Sequence, residues 1–91
     1  MTTTIVIGAG AAGAPLAARL SEDPAHEVLL IEAGGTGAFP AELLDATTVQ
    51  AAMPGHPANW AYPALLAPEA PYLIARGRVL GGSSTINGGG F

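Results

Sequence analysis

The 91-residue chain contains no cysteine. That excludes a disulfide scaffold, a thiolate zinc site and a cysteine nucleophile, and it fits a reducing compartment. Lysine is absent too. The basic residues are three arginines, Arg19, Arg76 and Arg78, set against seven Asp and Glu for a net charge of −4. There is no basic stripe, so the electrostatic footprint of a nucleic-acid partner is lacking. Charged residues make up only 11% of the chain, against roughly 25% in an ordinary soluble domain, which predicts a surface meant to be covered by other protein. No apolar run approaches the about 18 residues of a membrane span. Ile5–Ala18 has the apolar character of a signal-peptide core, but it lacks a basic flank and is broken by spaced glycines. The expected location is cytoplasmic.

What is present is apolar residues at 49%, too many for disorder by composition. There are also 13 glycines and 8 prolines, about twice the usual share, so turns and backbone geometry matter here. The length allows one small domain or a piece of one. Thr3–Ile7 is a β-branched run that predicts a buried strand, Gly8–Gly13 a glycine-rich turn, and Ala14–Leu20 a helix with Leu16, Ala17 and Leu20 on one face. Ser21–Glu27 reads as a turn and Val28–Ile31 as a second buried strand. This is a parallel β-α-β unit, and its nearly continuous apolar strands suit a sheet covered on both faces. The fold class is therefore α/β. Residues 36–75 read as a loop-rich excursion, with Pro40, Pro54, Pro57, Pro63, Pro68 and Pro71 spaced along it and helix expected only over Ala41–Met53. Arg76–Leu80 reads as a strand or an extended approach to the glycine- and serine-rich stretch that follows, residues 76–91 forming a third unit.

The motif Gly8-Ala9-Gly10-Ala11-Ala12-Gly13 has the spacing of a dinucleotide-binding turn. Gly8 permits the tight exit from the strand, Gly10 a close approach of backbone to a pyrophosphate, and Gly13 close packing of helix on strand. The helix that follows presents its positive dipole end to the phosphates. The motif alone is weak evidence, but Glu32 stands at the end of the second strand, about 20 residues on, where a carboxylate accepts hydrogen bonds from adenosine ribose hydroxyls. An acid there also disfavours the 2′-phosphate of NADP. Pro15 removes an N–H near the helix start, where the loss is small. These residues leave NAD and FAD both open. Ala33-Gly34-Gly35 followed by a long excursion, rather than another regular helix and strand, favours the flavoprotein form.

The segment Gly77-Arg78-Val79-Leu80-Gly81-Gly82-Ser83-Ser84-Thr85-Ile86-Asn87-Gly88-Gly89-Gly90-Phe91 is the most specific in the chain. It offers unobstructed backbone N–H groups, hydroxyls and an amide, able to wrap a pyrophosphate or the polar edge of a ring system. Together with Gly8–Glu32, the Arg19-Leu-Ser-Glu-Asp-Pro24 turn and Asn59-Trp60-Ala61-Tyr62, it resembles the glucose-methanol-choline (GMC) oxidoreductase family over nearly the whole chain. For Trp60 and Tyr62, ordinary core filling is the alternative. The resemblance implies a Rossmann-like FAD-binding domain. Gly8, Gly10, Ala11, Ala12 and Gly13 would face the pyrophosphate and Glu32 the adenosine ribose. Val79, Gly82, Ser83, Asn87, Gly88 and Gly89 would lie along the flavin. The family oxidises alcohols by hydride transfer from CH–OH to the flavin, with a histidine taking the hydroxyl proton. Some members attach FAD through a histidine at the position of Ile86, so a non-covalent flavin is expected here.

No catalytic residue and no metal site are expected within these 91 residues. His26 reads as surface filler in the turn before the second strand, and His56 as a loop residue between Gly55 and Pro57. The family's catalytic histidine and substrate domain lie in a C-terminal part that this sequence does not include. The chain therefore reads as the N-terminal part of a larger flavoenzyme, inert alone and meeting an alcohol substrate only with the remainder. The alternatives are a stand-alone nucleotide-binding module without catalysis and a portion of an NAD-dependent dehydrogenase.

Overall fold

The computed structural model describes residues 1–35, 39, 41–45 and 47–87. Strand β1 (Thr2–Ile7) leads through the glycine turn into helix α1 (Gly13–Leu20), and β2 (His26–Ile31) returns parallel to β1. Register runs from Thr2 opposite His26 to Ile7 opposite Ile31, so the two strands end level and their C-terminal ends form one edge. The Gly8 N–H continues the pairing by donating to the Ile31 carbonyl at 2.7 Å. Helix α1 stops where the sequence supplies competitors. The Ser21 hydroxyl donates to the Ala18 carbonyl, Asp23 Oδ1 accepts the Ala25 N–H in an Asx turn, and Pro24 cannot extend a helix.

The β-α-β unit has the expected order, but its strands are not buried as their apolar character predicts. Val6 is the buried residue of β1, whereas Ile5, Leu29, Leu30 and Ile31 are exposed and Ile7 is 83% exposed. The reason is geometric. The sheet has two strands among the described residues, and α1 covers it mainly through Ala17, its one buried residue. His26 also differs from expectation: it is the first residue of β2, half-buried, and its Nε2 shares a 2.7 Å hydrogen bond with the Thr4 hydroxyl.

Between 41 and 53 the expected helix gives way to two short 3-10 turns, Ala41–Leu43 and Gln50–Ala52. Asp45 Oδ1 accepts both the N–H and the hydroxyl of Thr47, offering the backbone a turn in place of a helical bond. The β-branched Thr47-Thr48-Val49 adds little helix propensity to oppose it. Farther on, β3 (Tyr62–Ala67) and β4 (Ala70–Ile74) form an antiparallel hairpin, pairing Tyr62 with Ile74 and irregular at its tip. Residues 76–80 do not form a strand: a single bridge pairs Gly77 with Asn59, and the chain then turns, the Gly82 N–H donating to the Val79 carbonyl at 2.8 Å. A short helix α2 (Ser83–Ile86) follows.

A small cluster of Ala51, Ala58, Val79 and Ile86, with Leu43 and Ala75 against it, anchors this second half. Among the described buried apolar residues, only Val6, Val79 and Ile86 are larger than alanine. The radius of gyration is 15.8 Å, whereas one compact domain of this length would have about 12 Å. The shape is elongated, and its apolar faces stay open.

Candidate functional site

Parallel strands carry ligands at their carboxyl ends, and there the two glycine-rich segments meet. The Gly81 N–H donates to the Ala9 carbonyl at 2.8 Å. A side chain at Gly82, whose φ is +64°, would come within 2.9 Å of the Gly10 Cα, so two backbones approach where no Cβ fits. Gly13 is equally constrained: a Cβ there would overlap the Gly8 carbonyl oxygen, which is how α1 lies so close to the end of β1. Residues about 70 positions apart thus share one wall.

The result is an open cleft of about 770 Å³, lined by Gly8, Gly10, Ala11, Ala12 and Gly13 on one side and Gly77, Gly82, Ser83 and Ser84 on the other. Ile7, Ile31, Glu32 and Ala33 border it from the strand ends, and Trp60, Tyr62 and Arg76 complete the rim. Helix α1 begins on this cleft after Ala12, which makes no side-chain cap, and the first N–H groups of a helix have no intrahelical acceptor. Of these, the Ala14 N–H already donates to the Gly10 carbonyl at 3.1 Å and Pro15 has no N–H, so the start of α1 offers an anion the Gly13 N–H and the helix dipole.

Glu32 is held by both oxygens. Oε2 accepts the Ala9 N–H and Oε1 the Gly34 N–H, each at 2.8 Å. Its carboxylate therefore bridges the turn after β1 and the turn after β2, leaving further lone pairs for a polyol edge. Ser83 Oγ accepts the Gly77 N–H at 3.0 Å and keeps its proton for another acceptor. Ser84 spends its hydroxyl on the Gly81 carbonyl.

Of the residues expected at a cofactor, Gly8, Gly10, Ala11, Ala12, Gly13, Glu32, Gly82 and Ser83 come together around this cleft. Val79 is buried in the apolar cluster behind it. Asn87 lies at a smaller neighbouring hollow with Ala52, Ala75 and Ile86. Gly88 and Gly89 fall outside the described residues. The rim holds residues that composition and spacing did not single out for binding. Trp60 and Tyr62 are 43% and 48% exposed rather than core filling, stacked with ring centroids 5.9 Å apart. The Arg78 guanidinium carbon sits 4.7 Å from the Trp60 ring centroid, a cation–π contact. Arg76 is the one cation among the residues lining the cleft. The Arg-Gly-Arg run next to a glycine-serine loop was the available signal.

His56 lies away from the cleft. Its Nδ1 accepts the Ala58 N–H at 3.0 Å, so in the neutral ring Nε2 carries the proton and donates it to Glu42 at 3.0 Å. That bond is the main reason the Glu42 carboxyl titrates below its ordinary value.

No family model matches the chain. Over 90 residues it is 43% identical to an uncharacterized GMC-type oxidoreductase of Rhodococcus erythropolis, covering 96% of this chain and 18% of that protein. It is 48% identical over 95 residues to an oxygen-dependent choline dehydrogenase of Xanthomonas euvesicatoria, covering 92% and 16%. It is 45% identical over 89 residues to a pyridoxine 4-oxidase of Microbacterium luteolum, covering 94% and 17%. The crystal structure of pyridoxine 4-oxidase from Mesorbium loti superposes with a TM-score of 0.82 at 36% identity, over 99% of this chain and 18% of that one. The chain thus spans 16–18% of the length of the curated relatives it matches.

Proposed function

We propose that this chain, which belongs with the GMC-type oxidoreductases, is the FAD-binding N-terminal portion of an enzyme that moves hydride from an alcohol CH–OH to FAD. The observation that carries the reading is the contact of the two glycine-rich segments around one cleft. The cleft fits an FAD diphosphate in three respects. Gly8, Gly10 and Gly13 line it with backbone and no side chains, the start of α1 lacks a side-chain cap, and Arg76 brings a positive charge to the rim.

Each group has a part on this reading. Residues Gly10–Gly13 neutralise the diphosphate through N–H groups and the helix dipole. Glu32, already fixed by two backbone donors, accepts from the adenosine ribose hydroxyls. Gly82 and Ser83 continue the contact toward the ring, with Val79 and Ile86 packed behind them, and Asn87, Gly88 and Gly89 extend it. FAD, when bound, supplies the hydride acceptor. No residue of this chain is assigned to proton transfer; that base belongs to the part of the relatives this chain does not span. Ile86 has no nucleophile and is buried in the apolar cluster, so the flavin is held without a covalent bond.

The test is spectroscopic. The purified full protein should show oxidised-flavin absorbance near 1:1 stoichiometry and lose it on adding an oxidisable alcohol without oxygen. A colourless protein with nicotinamide-dependent turnover would refute the flavin reading.

A further inference from the structure

We infer that Asn59 is a positioning residue of the cleft: its side chain fixes the backbone that carries Trp60 and Arg76 onto the rim, and through them sets the affinity for the cofactor diphosphate. The inference rests on the FAD reading and deepens it.

Asn59 is the buried polar side chain of the described residues, 9% exposed. A side-chain amide offers two donor hydrogens and two acceptor lone pairs, and all four are used. Nδ2 donates to the Ala52 and Met53 carbonyls at 3.1 and 3.2 Å. Oδ1 accepts the Ala61 N–H at 2.9 Å and the Arg76 N–H at 3.1 Å. One side chain therefore joins the turn at 50–53, the residue beyond Trp60, and a segment distant in sequence.

The backbone around it repeats the connection. The Trp60 N–H donates to the Arg76 carbonyl at 2.9 Å and the Arg78 N–H to the Ala58 carbonyl at 2.6 Å, and Asn59 bridges Gly77. Ala61 sits at φ +49°, a left-handed conformation alanine rarely adopts, and the bond to Asn59 Oδ1 holds it there. Trp60 and Arg76 reach the cleft from this knot, whereas Asn59 lies behind the wall. An apolar residue of equal size would fill the space and leave two N–H groups and the Ala52 carbonyl unpaired, while the Met53 carbonyl keeps the His56 N–H at 3.3 Å. The amide is thus required by what it holds in place.

The donor and acceptor halves can be separated. Asn59→Asp keeps the acceptors for Ala61 and Arg76 and loses the donors to the 50–53 turn. Asn59→Ala loses both halves. In the full protein, stripped of FAD and refilled, the dissociation constant is read from flavin fluorescence at a temperature where far-UV circular dichroism shows each variant folded. Asn59→Ala should weaken FAD binding about tenfold, Arg76→Ala by a similar factor, and the double variant little more than either, because the two act through one element. Asn59→Asp should melt earlier yet bind FAD within about threefold of the unsubstituted protein. Wild-type affinity in Asn59→Ala, or independent multiplication of the two single effects, would overturn the inference while the FAD reading stands. Should Asn59→Ala fail to fold, a loss in Asn59→Asp as large as that in Arg76→Ala would overturn it equally. Failure of the unsubstituted protein to take up FAD at all would overturn the underlying reading, and this inference with it.

Discussion

Replacing Glu32 tests the structural and the binding roles of one side chain at once. Its carboxylate accepts the Ala9 N–H and the Gly34 N–H, each at 2.8 Å, and both bonds are charge-assisted. Such bonds contribute about 1.5–3 kcal/mol each. The two are only partly buried, so water can replace some of the loss, and Glu32→Ala should destabilise the protein by about 2–4 kcal/mol. The effect reaches beyond the first loop, because Ala9, fully buried, also accepts the Gly81 N–H. Loosening Ala9 loosens the contact between the two glycine-rich segments. Glu32→Gln retains one acceptor and sets its NH₂ against the other N–H, so its loss should be about half.

The assay is urea denaturation without cofactor, followed by FAD titration. Stability should fall in the order wild type, Gln, Ala. The FAD dissociation constant should rise at least about tenfold for Ala, since 1.4 kcal/mol is one decade and the ribose bonds are lost as well. Unchanged cofactor-free stability in Glu32→Ala would refute the bridging role. Unchanged FAD affinity at altered stability would remove Glu32 from the binding site.

The remaining predictions concern separate positions. Gly13→Ala drives a Cβ into the Gly8 carbonyl oxygen; it should cost about 1–3 kcal/mol and abolish stoichiometric FAD in the purified protein. Ala61→Gly relieves the left-handed backbone at φ +49° and should change stability by between zero and about +1 kcal/mol, whereas Ala61→Val should lower the melting temperature. The Glu42 carboxyl is held below its ordinary value by the His56 bond, and Asp45 is shifted the same way by Thr47. Stability from a lowered carboxyl is fully present above its unfolded value and is lost as pH falls through the folded one. Glu42→Gln should therefore flatten part of the acid limb of a stability–pH curve below about pH 4.5. Acid precipitation should leave yellow flavin in the supernatant; flavin retained in the pellet would contradict a non-covalent site.

What the sequence made legible was local. The β-α-β unit follows from Thr3–Ile7, the glycine spacing and the Asp23-Pro24 turn, because each acts on residues a few positions away; Gly13 is read correctly since the atom it must avoid belongs to Gly8. The hairpin over Tyr62–Ile74 was hidden by Pro63 and Pro71, which count against a strand in a wide sheet. In a two-stranded ribbon each strand has an open edge, where a residue without an N–H is tolerated. The expected helix over Ala41–Met53 failed on Asp45, whose carboxylate bonds Thr47 more closely than a weak apolar stripe can oppose.

The site itself was legible as two halves and not as one cleft. Gly10 and Gly82 each read as glycines that let backbone come near a ligand, yet part of their closeness serves each other. Nothing in the spacing of 8–13 and 77–84 encodes that contact, because the intervening chain sets it through Asn59 and the 76–78 bridge. Trp60 shows the same limit: its ring area suits a core as well as a rim, and what exposes it is a backbone knot built from its neighbours. The shortage of charge was, by contrast, a global signal that local reading could use. Ile5, Ile7, Leu29, Leu30 and Ile31 are exposed on a sheet with two strands, and burying such side chains is worth about 1.5–3 kcal/mol each. A chain that leaves that much unburied and carries few charges to keep it soluble has surfaces suited to contact with more protein, and the same strands end on the cleft. Covering that sheet would therefore steady Ile7, Ile31 and Glu32 together, so cofactor affinity and the stability of the covering contact should rise and fall as one.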